Sequence, residues 1–294
     1  MLGIHRLLDR EDEFDDDRDA AAEPRSAREE FVAAAVDYLL GRPAKLSASK
    51  GDPNAEPDDD TGRPEVRRTT IRGGAGKREP ERPSASSLGI RLVAELTGRS
   101  HAAPLFHFPD RTTLVAAVAA EGFRRQTRRV RAVLRKTDYG TGSAQLQQCV
   151  LAYVQWASDA PALFATMYDP ELAPVLEAFM LYGPNFEAVR EHAPSYFGGD
   201  IKQAHRRFQA YHELYEAKRT ALEVFVAQSD KGMRDGSLRQ DVSEHDLAHA
   251  VTSLADGLAW QRVTERQFVG PMLEAHTRKM VRLCFEGLGE RGSV

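Results

Sequence analysis

The sequence predicts an all-α protein in which a helix-turn-helix unit precedes a larger helical region. Three observations predict it. Apolar residues recur at three- and four-residue spacings along most of the chain, with hardly any alternating β pattern. A glycine-centred break, Thr97-Gly98-Arg99, separates two short helical segments ahead of a long one. Residues 88–136 carry 10 basic and 3 acidic side chains, a strongly positive stretch in a chain of net charge −4.

The elements follow in order. Residues 1–25 read as an acidic disordered arm, because DREDEFDDDRD (9–19) is too polar and like-charged to pack. Order begins at Ser26, which can cap a helix holding Glu29 and Glu30 against the positive end of its dipole. Phe31, Ala35, Tyr38 and Leu39 supply its apolar face, and Gly41-Arg42-Pro43 stops it. Residues 41–86 read as a flexible insertion: Pro and Gly recur and large apolar residues are few. Burial there cannot offset an ordering cost of about 1–2 kcal/mol per residue. Loop closure grows only logarithmically with length, so helix 26–40 is expected to pack on the unit that follows.

Leu88, Leu92 and Leu96 stack on a short helix with Val93 beside them. Ser100 can cap a second short helix to about His107, and Asp110 or Thr112 starts a third that runs well past Arg124. Further helices are expected over about 143–158, 161–167, from Pro170 to a break at Gly183-Pro184, and over 201–230, 244–260 and 271–288. Gly232 and Gly236 should interrupt the end of the longest. The division expected is a head over 26–124 and a second domain over 125–294, the latter long enough for its own core.

Several classes are excluded. No apolar run approaches the roughly 18–20 residues that span a bilayer, and Met1-Leu2-Gly3-Ile4-His5-Arg6 lacks the apolar stretch of a secretory signal. Cys149 and Cys284 cannot form a disulfide framework, so reduced thiols in a cytoplasmic protein are expected. G-x-S-x-G, H-E-x-x-H, Walker A and C-x-x-C patterns are absent. Asp246 and His249, with His245 beside them, lack a facing acid-x-x-His pair for a dimetal centre, although Glu213 and Glu216 exist. No enzyme, metal site or cofactor is predicted.

The run SLGIRLVAELTGRSHAAPLFHFPDRTTLVAAVAAEGFRRQ, residues 87–126, resembles the DNA-binding domain of the TetR family of bacterial transcription regulators, in the subgroup whose recognition helix reads SHAAPxxHF. Ile90–Ala94 matches the scaffold helix, Gly98 the turn glycine, Ser100–Phe108 the recognition helix, and Asp110, Arg111 and Leu114 the start of the fourth helix. Two positions depart from the family pattern: Leu105-Phe106 stands where an aromatic, most often Tyr, is usual, and Arg99 replaces an apolar β-branched residue. The family's first helix also lies much closer in sequence than helix 26–40 does here.

The resemblance implies a homodimeric, ligand-responsive transcriptional regulator, a repressor on a palindromic operator in double-stranded DNA, with a small-molecule effector. Arg99, Ser100, His101, Ala102, Ala103, Leu105, Phe106, His107 and Arg111 are the candidate DNA contacts. Small Ala102 and Ala103 permit close approach in a major groove about 12 Å wide, and Ser100 and Arg111 suit phosphate. Phe108 and Leu114 are expected in the core. Arg124 or Arg125 is a further backbone-contact candidate, and 63–74 a basic arm. Trp156, Phe164, Met167, Phe179, Met180, Phe208, Tyr211 and Tyr215 are candidate linings of a cavity for an apolar or aromatic effector. The implied dimer rests on the last two helices, where Leu254, Leu258, Trp260, Met272, Leu273, His276, Met280 and Leu283 are candidates. The alternative is a helical small-molecule-binding or dimerisation protein whose head the insertion has impaired.

Overall fold

Every regular element is helical among the residues that this computed structural model describes, 26–42, 85–136, 140–264 and 271–288. The acidic arm and the candidate basic arm 63–74 lie outside them. Helix α1, Ala27–Leu39, opens in a capping box. The Glu29 amide donates to the Ser26 hydroxyl at 3.3 Å, and the Ser26 amide donates to the Glu29 carboxylate at 2.9 Å. Gly41 follows at φ 68°, a left-handed conformation that a side chain would strain.

Helix α2, Ile90–Leu96, buries Val93 and Ala94, while Leu92 and Leu96 are only half-buried. The expected leucine stripe is therefore turned toward Val93, and Leu88 is buried ahead of the helix. Helix α1 packs on α2 and on α3, Arg111–Lys136. Phe31, Ala35, Leu39, Leu88, Val93, Phe108 and Leu114 share one buried cluster.

The second short helix needs correction. Between Ser100 and His107 only Pro104–Phe106 is regular, and it is a 3₁₀ turn. The amides of Ala103, Leu105, Phe106 and His107 each donate three residues back. Pro104 brings no N–H, and the nine residues between Gly98 and Phe108 are too few to offset α-helix nucleation.

Seven helices follow: α4 Gly142–Asp159, α5 Pro161–Met167, α6 Ala173–Tyr182, α7 Phe186–His192, α8 Ile201–Arg234, α9 Glu244–Thr264 and α10 Pro271–Leu288. The sequence reading missed α7, whose seven residues bury only Val189. It also ended α8 too early. Gly232 lies inside the helix because α4 and α8 touch backbone to backbone there: a Cβ on Gly142 would lie 2.1 Å from the Gly232 nitrogen. The helix ends before Gly236, at φ 73°. The buried cluster is continuous from Phe31 to Phe285, and α3 runs through it from the head into the other helices. No described helix is long and apolar enough to cross a membrane.

Candidate nucleic-acid interface and receiver core

The turn at 100–107 stands on a rigid base. Pro104 and Phe108 are buried, and Ala103 packs against the core. Phe31 of α1 lies 5.8 Å from the His107 ring, and the Arg28 guanidinium sits 5.5 Å over Phe108. His107 is thus half-buried. Burial, with Arg28 and Arg206 nearby, pulls its imidazole below the usual range. Ser100, His101, Ala102, Leu105 and Phe106 point outward. Leu105 is 47% exposed and Phe106 69%. Ser100 makes no side-chain cap, because the turn's first regular residue comes four positions later.

The expected cationic contacts are placed differently. Arg99 does reach outward, but its guanidinium donates to Glu30 of α1 at 2.5 Å. Arg111 was expected to clamp phosphate. Instead its Nε donates to the Leu88 carbonyl at 3.0 Å and a terminal nitrogen donates to Glu171 at 3.0 Å, with Asp169 3.8 Å away. Arg124 lies near Glu121 and Glu213, and Arg125 donates to Glu121 at 3.1 Å. Carboxylates of α1, α3, α8 and the turn at Pro170–Leu172 take up these charges within the fold.

A polar joint connects this head to the other helices. Asp110 accepts from the Thr113 amide at 2.8 Å, the Thr113 hydroxyl at 2.6 Å and Arg207 Nε at 2.7 Å. Burial pushes the Asp110 carboxyl up, but Thr113 and Arg207 outweigh it and hold it below the usual carboxylate range. Arg207 also donates to the Gly198 carbonyl, and Tyr196 to the Glu171 carbonyl at 2.6 Å. These residues border a cavity of about 380 Å³ with Thr112, Ser195 and Tyr211. Sequence reading missed this joint, since its partners stand about a hundred residues apart.

Most of the candidate effector residues fill space, and two of them, Tyr211 and Trp156, also border a cavity. Phe164, Met167, Phe179 and Tyr211 are buried in the core. Phe179 lies 5.2 Å from Phe208 and 5.5 Å from Tyr215, ring against ring. Met180 is 69% exposed on the outer face of α6, one helical position round from buried Phe179, so it stands outside the core. Trp156 is buried but borders a large cleft with Leu163 and a row of α3 arginines. Within the core lies a polar island that the sequence did not announce. The Tyr153 and Tyr168 hydroxyls lie 2.6 Å apart and both stand within hydrogen-bond reach of the same Asp256 oxygen, so two hydroxyl protons are shared among three close oxygens. Burial raises the Asp256 carboxyl and lowers the Lys218 ammonium that stands 5.9 Å over the Tyr168 ring. Burial also pushes the Cys149 thiol up to about 12, which makes it an inert core residue.

Two candidate interface residues are turned inward. Leu258 is buried, and Trp260 packs 5.1 Å from Phe164 and 6.2 Å from Tyr168. Leu254 and Met280 pack partly against the same core. His276 and Leu283, the latter 50% exposed, face outward from α10. Met272 and Leu273 fall in the first turn of α10, and their side chains lie outside the described ones.

Solved structures similar to this chain include a bacterial regulatory protein of the tetR family from Rhodococcus RHA1. The match has a TM-score of 0.49 at 16% identity and covers 90% of this chain and 98% of that one. Another is the ketosteroid transcriptional regulator KstR2 of Mycobacterium tuberculosis, at TM-score 0.47 and 10% identity, covering 92% and 98%. A protein of unknown function from Rhodococcus sp. RHA1 matches at TM-score 0.49 and 20% identity over 70% and 87%. No protein-family model and no curated protein matches the chain.

Proposed function

We propose that the chain is a cytoplasmic, ligand-responsive transcriptional regulator that binds a palindromic DNA operator as a homodimer and represses. One observation carries the reading: Leu105 and Phe106 are held out to solvent on a turn whose base is buried and braced by α1 and α2. Folding gains nothing from exposing two large apolar side chains, whereas a major groove offers thymine methyl groups to them. Ser100, His101 and Ala102 add exposed donors and small side chains on the same turn, suited to phosphate and close approach. Continuity of α3 from the head into the receiver supports ligand response, because an effector that favours one placement of α3 favours one placement of the turn.

Fluorescence anisotropy with duplexes flanking the chain's own gene tests this. Binding should weaken as salt rises, and Phe106→Ala or His101→Ala should cost about 1–3 kcal/mol and relax specificity. Equal binding by wild type and both variants would overturn the reading. The internal pairing of Arg99 and Arg111 favours a second reading, a helical ligand-binding or dimerisation protein with an impaired head. Salt-insensitive absence of duplex binding would select it.

A further inference from the structure

The head and the joint leave one large feature unused. A cleft of about 1000 Å³ opens between the end of α1, the distal half of α3, the end of α4 and the start of α5. Arg125, Arg128, Arg129, Arg131, Arg135 and Lys136 line it from α3, and Arg42 lines it from beyond α1. Asp159 is the only carboxylate among its described lining residues. Two more stand behind the wall. Glu121 accepts from Arg125 and Arg128, and Asp37 lies 3.7 Å from Arg42. Three carboxylates among the described residues meet these cations, Arg129 and Lys136 have interactions of their own, and Arg131 and Arg135 are exposed without an ion pair among the described residues.

The register on α3 makes this a rail. Arg125, Arg128, Arg129, Arg135 and Lys136 share one helical face, and Arg131 flanks it one turn before Arg135, so the cations run for about 16 Å. Like charges three and four residues apart oppose helix formation, and an anion lying along them relieves that repulsion. The floor has the opposite character. Trp156, Ala160 and Leu163 are buried, with half-buried Leu40 and Ala132 beside them. The cleft is also remote from the candidate reading turn: Arg129 lies 18 residues, about 27 Å, along α3 from Arg111.

We propose that this cleft binds an amphipathic polyanion, a molecule with at least a diphosphate for the arginine rail and an apolar chain or ring system for the Trp156–Leu163 floor. As the identity of the effector, the assignment rests on the proposed regulatory function; as a binding site, it does not require DNA. The chain has two tryptophans, so Trp260→Phe leaves Trp156 in the cleft as sole reporter. Its fluorescence is titrated with farnesyl diphosphate, tripolyphosphate and farnesol, with no DNA present. Farnesyl diphosphate should saturate at micromolar concentration, with tripolyphosphate and farnesol each at least about tenfold weaker. The double substitution R131E/R135E should weaken both phosphate ligands about tenfold or more with unchanged helical circular dichroism. If the pair disturbs folding, Arg135→Gln alone should still weaken them several-fold.

No saturable change with farnesyl diphosphate up to about 1 mM would overturn the proposal. So would tripolyphosphate or farnesol binding as tightly as the combined molecule, or indifference to the arginine substitutions. Displacement of farnesyl diphosphate by a short duplex would assign the cleft to nucleic acid and overturn it equally. A chain that binds farnesyl diphosphate but no operator would retain the site and lose only its regulatory role.

Discussion

Arg111 separates two physical roles, and Arg111→Gln decides between them. In the fold this side chain ties the carbonyl of buried Leu88, ahead of α2, to Glu171 and Asp169 at the turn after α5. It is one-third exposed, and Glu171 more than half, so solvent screens the ion pairs to about 0.2–1 kcal/mol each. The hydrogen bond to the Leu88 carbonyl adds about 1 kcal/mol. The substitution should therefore cost about 1–2 kcal/mol, which lowers Tm by about 2–3 °C at this chain length. Thermal unfolding followed by circular dichroism measures it, and a cycle with Glu171→Gln should return a coupling of about 0.5–1 kcal/mol. High salt should shrink that coupling while leaving the Leu88 bond. A variant as stable as wild type, whose DNA affinity fell and whose salt slope dropped by about one, would refute this reasoning. Arg111 would then be the phosphate clamp that its sequence position suggested.

Two further perturbations probe the frame. The Asp110 carboxyl lies below its usual range in the folded chain, so it contributes stability above its unfolded pKa and loses it as pH falls through the folded value. Stability should decline below about pH 4, and Asp110→Asn should be less stable at pH 7 with a flatter acid limb; an unchanged limb in urea titrations would contradict this. Gly142→Ala would press a methyl against the backbone of Gly232 and Lys231, so α4 and α8 must part at a cost of about 2 kcal/mol or more, read as a lower urea midpoint at unchanged slope.

The fold was legible wherever a local pattern decides it. Ser26 with Glu29, the 161–167 helix behind Pro161, and the end of α6 at Gly183 follow from capping and backbone chemistry that a few residues contain. Packing of α1 onto α2 and α3 was legible too, from apolar faces that needed partners. What escaped depends on partners distant in the chain. Gly232 looks like a helix breaker until α4 is seen lying against it. Arg99, Arg111 and Arg124 look like phosphate ligands until Glu30, Glu171 and Glu213 arrive from other elements. Phe179 and Met180 are adjacent and similarly apolar, yet one is buried and the other exposed; composition could name both as cavity linings, and only the helix's orientation separates them. The exposed tip, by contrast, falls on the residues singled out from the motif, because Gly98 and Pro104 fix its local geometry.

Selection of duplexes from a random-sequence pool by the full chain tests the exposed-tip claim most directly. The account predicts enrichment of an inverted repeat whose half-sites are about one helical turn apart. It also predicts that Phe106→Ala alters the bases preferred at particular positions without abolishing salt-dependent binding. A pool that remains unenriched, or the same repeat recovered by the Phe106→Ala chain, would contradict it.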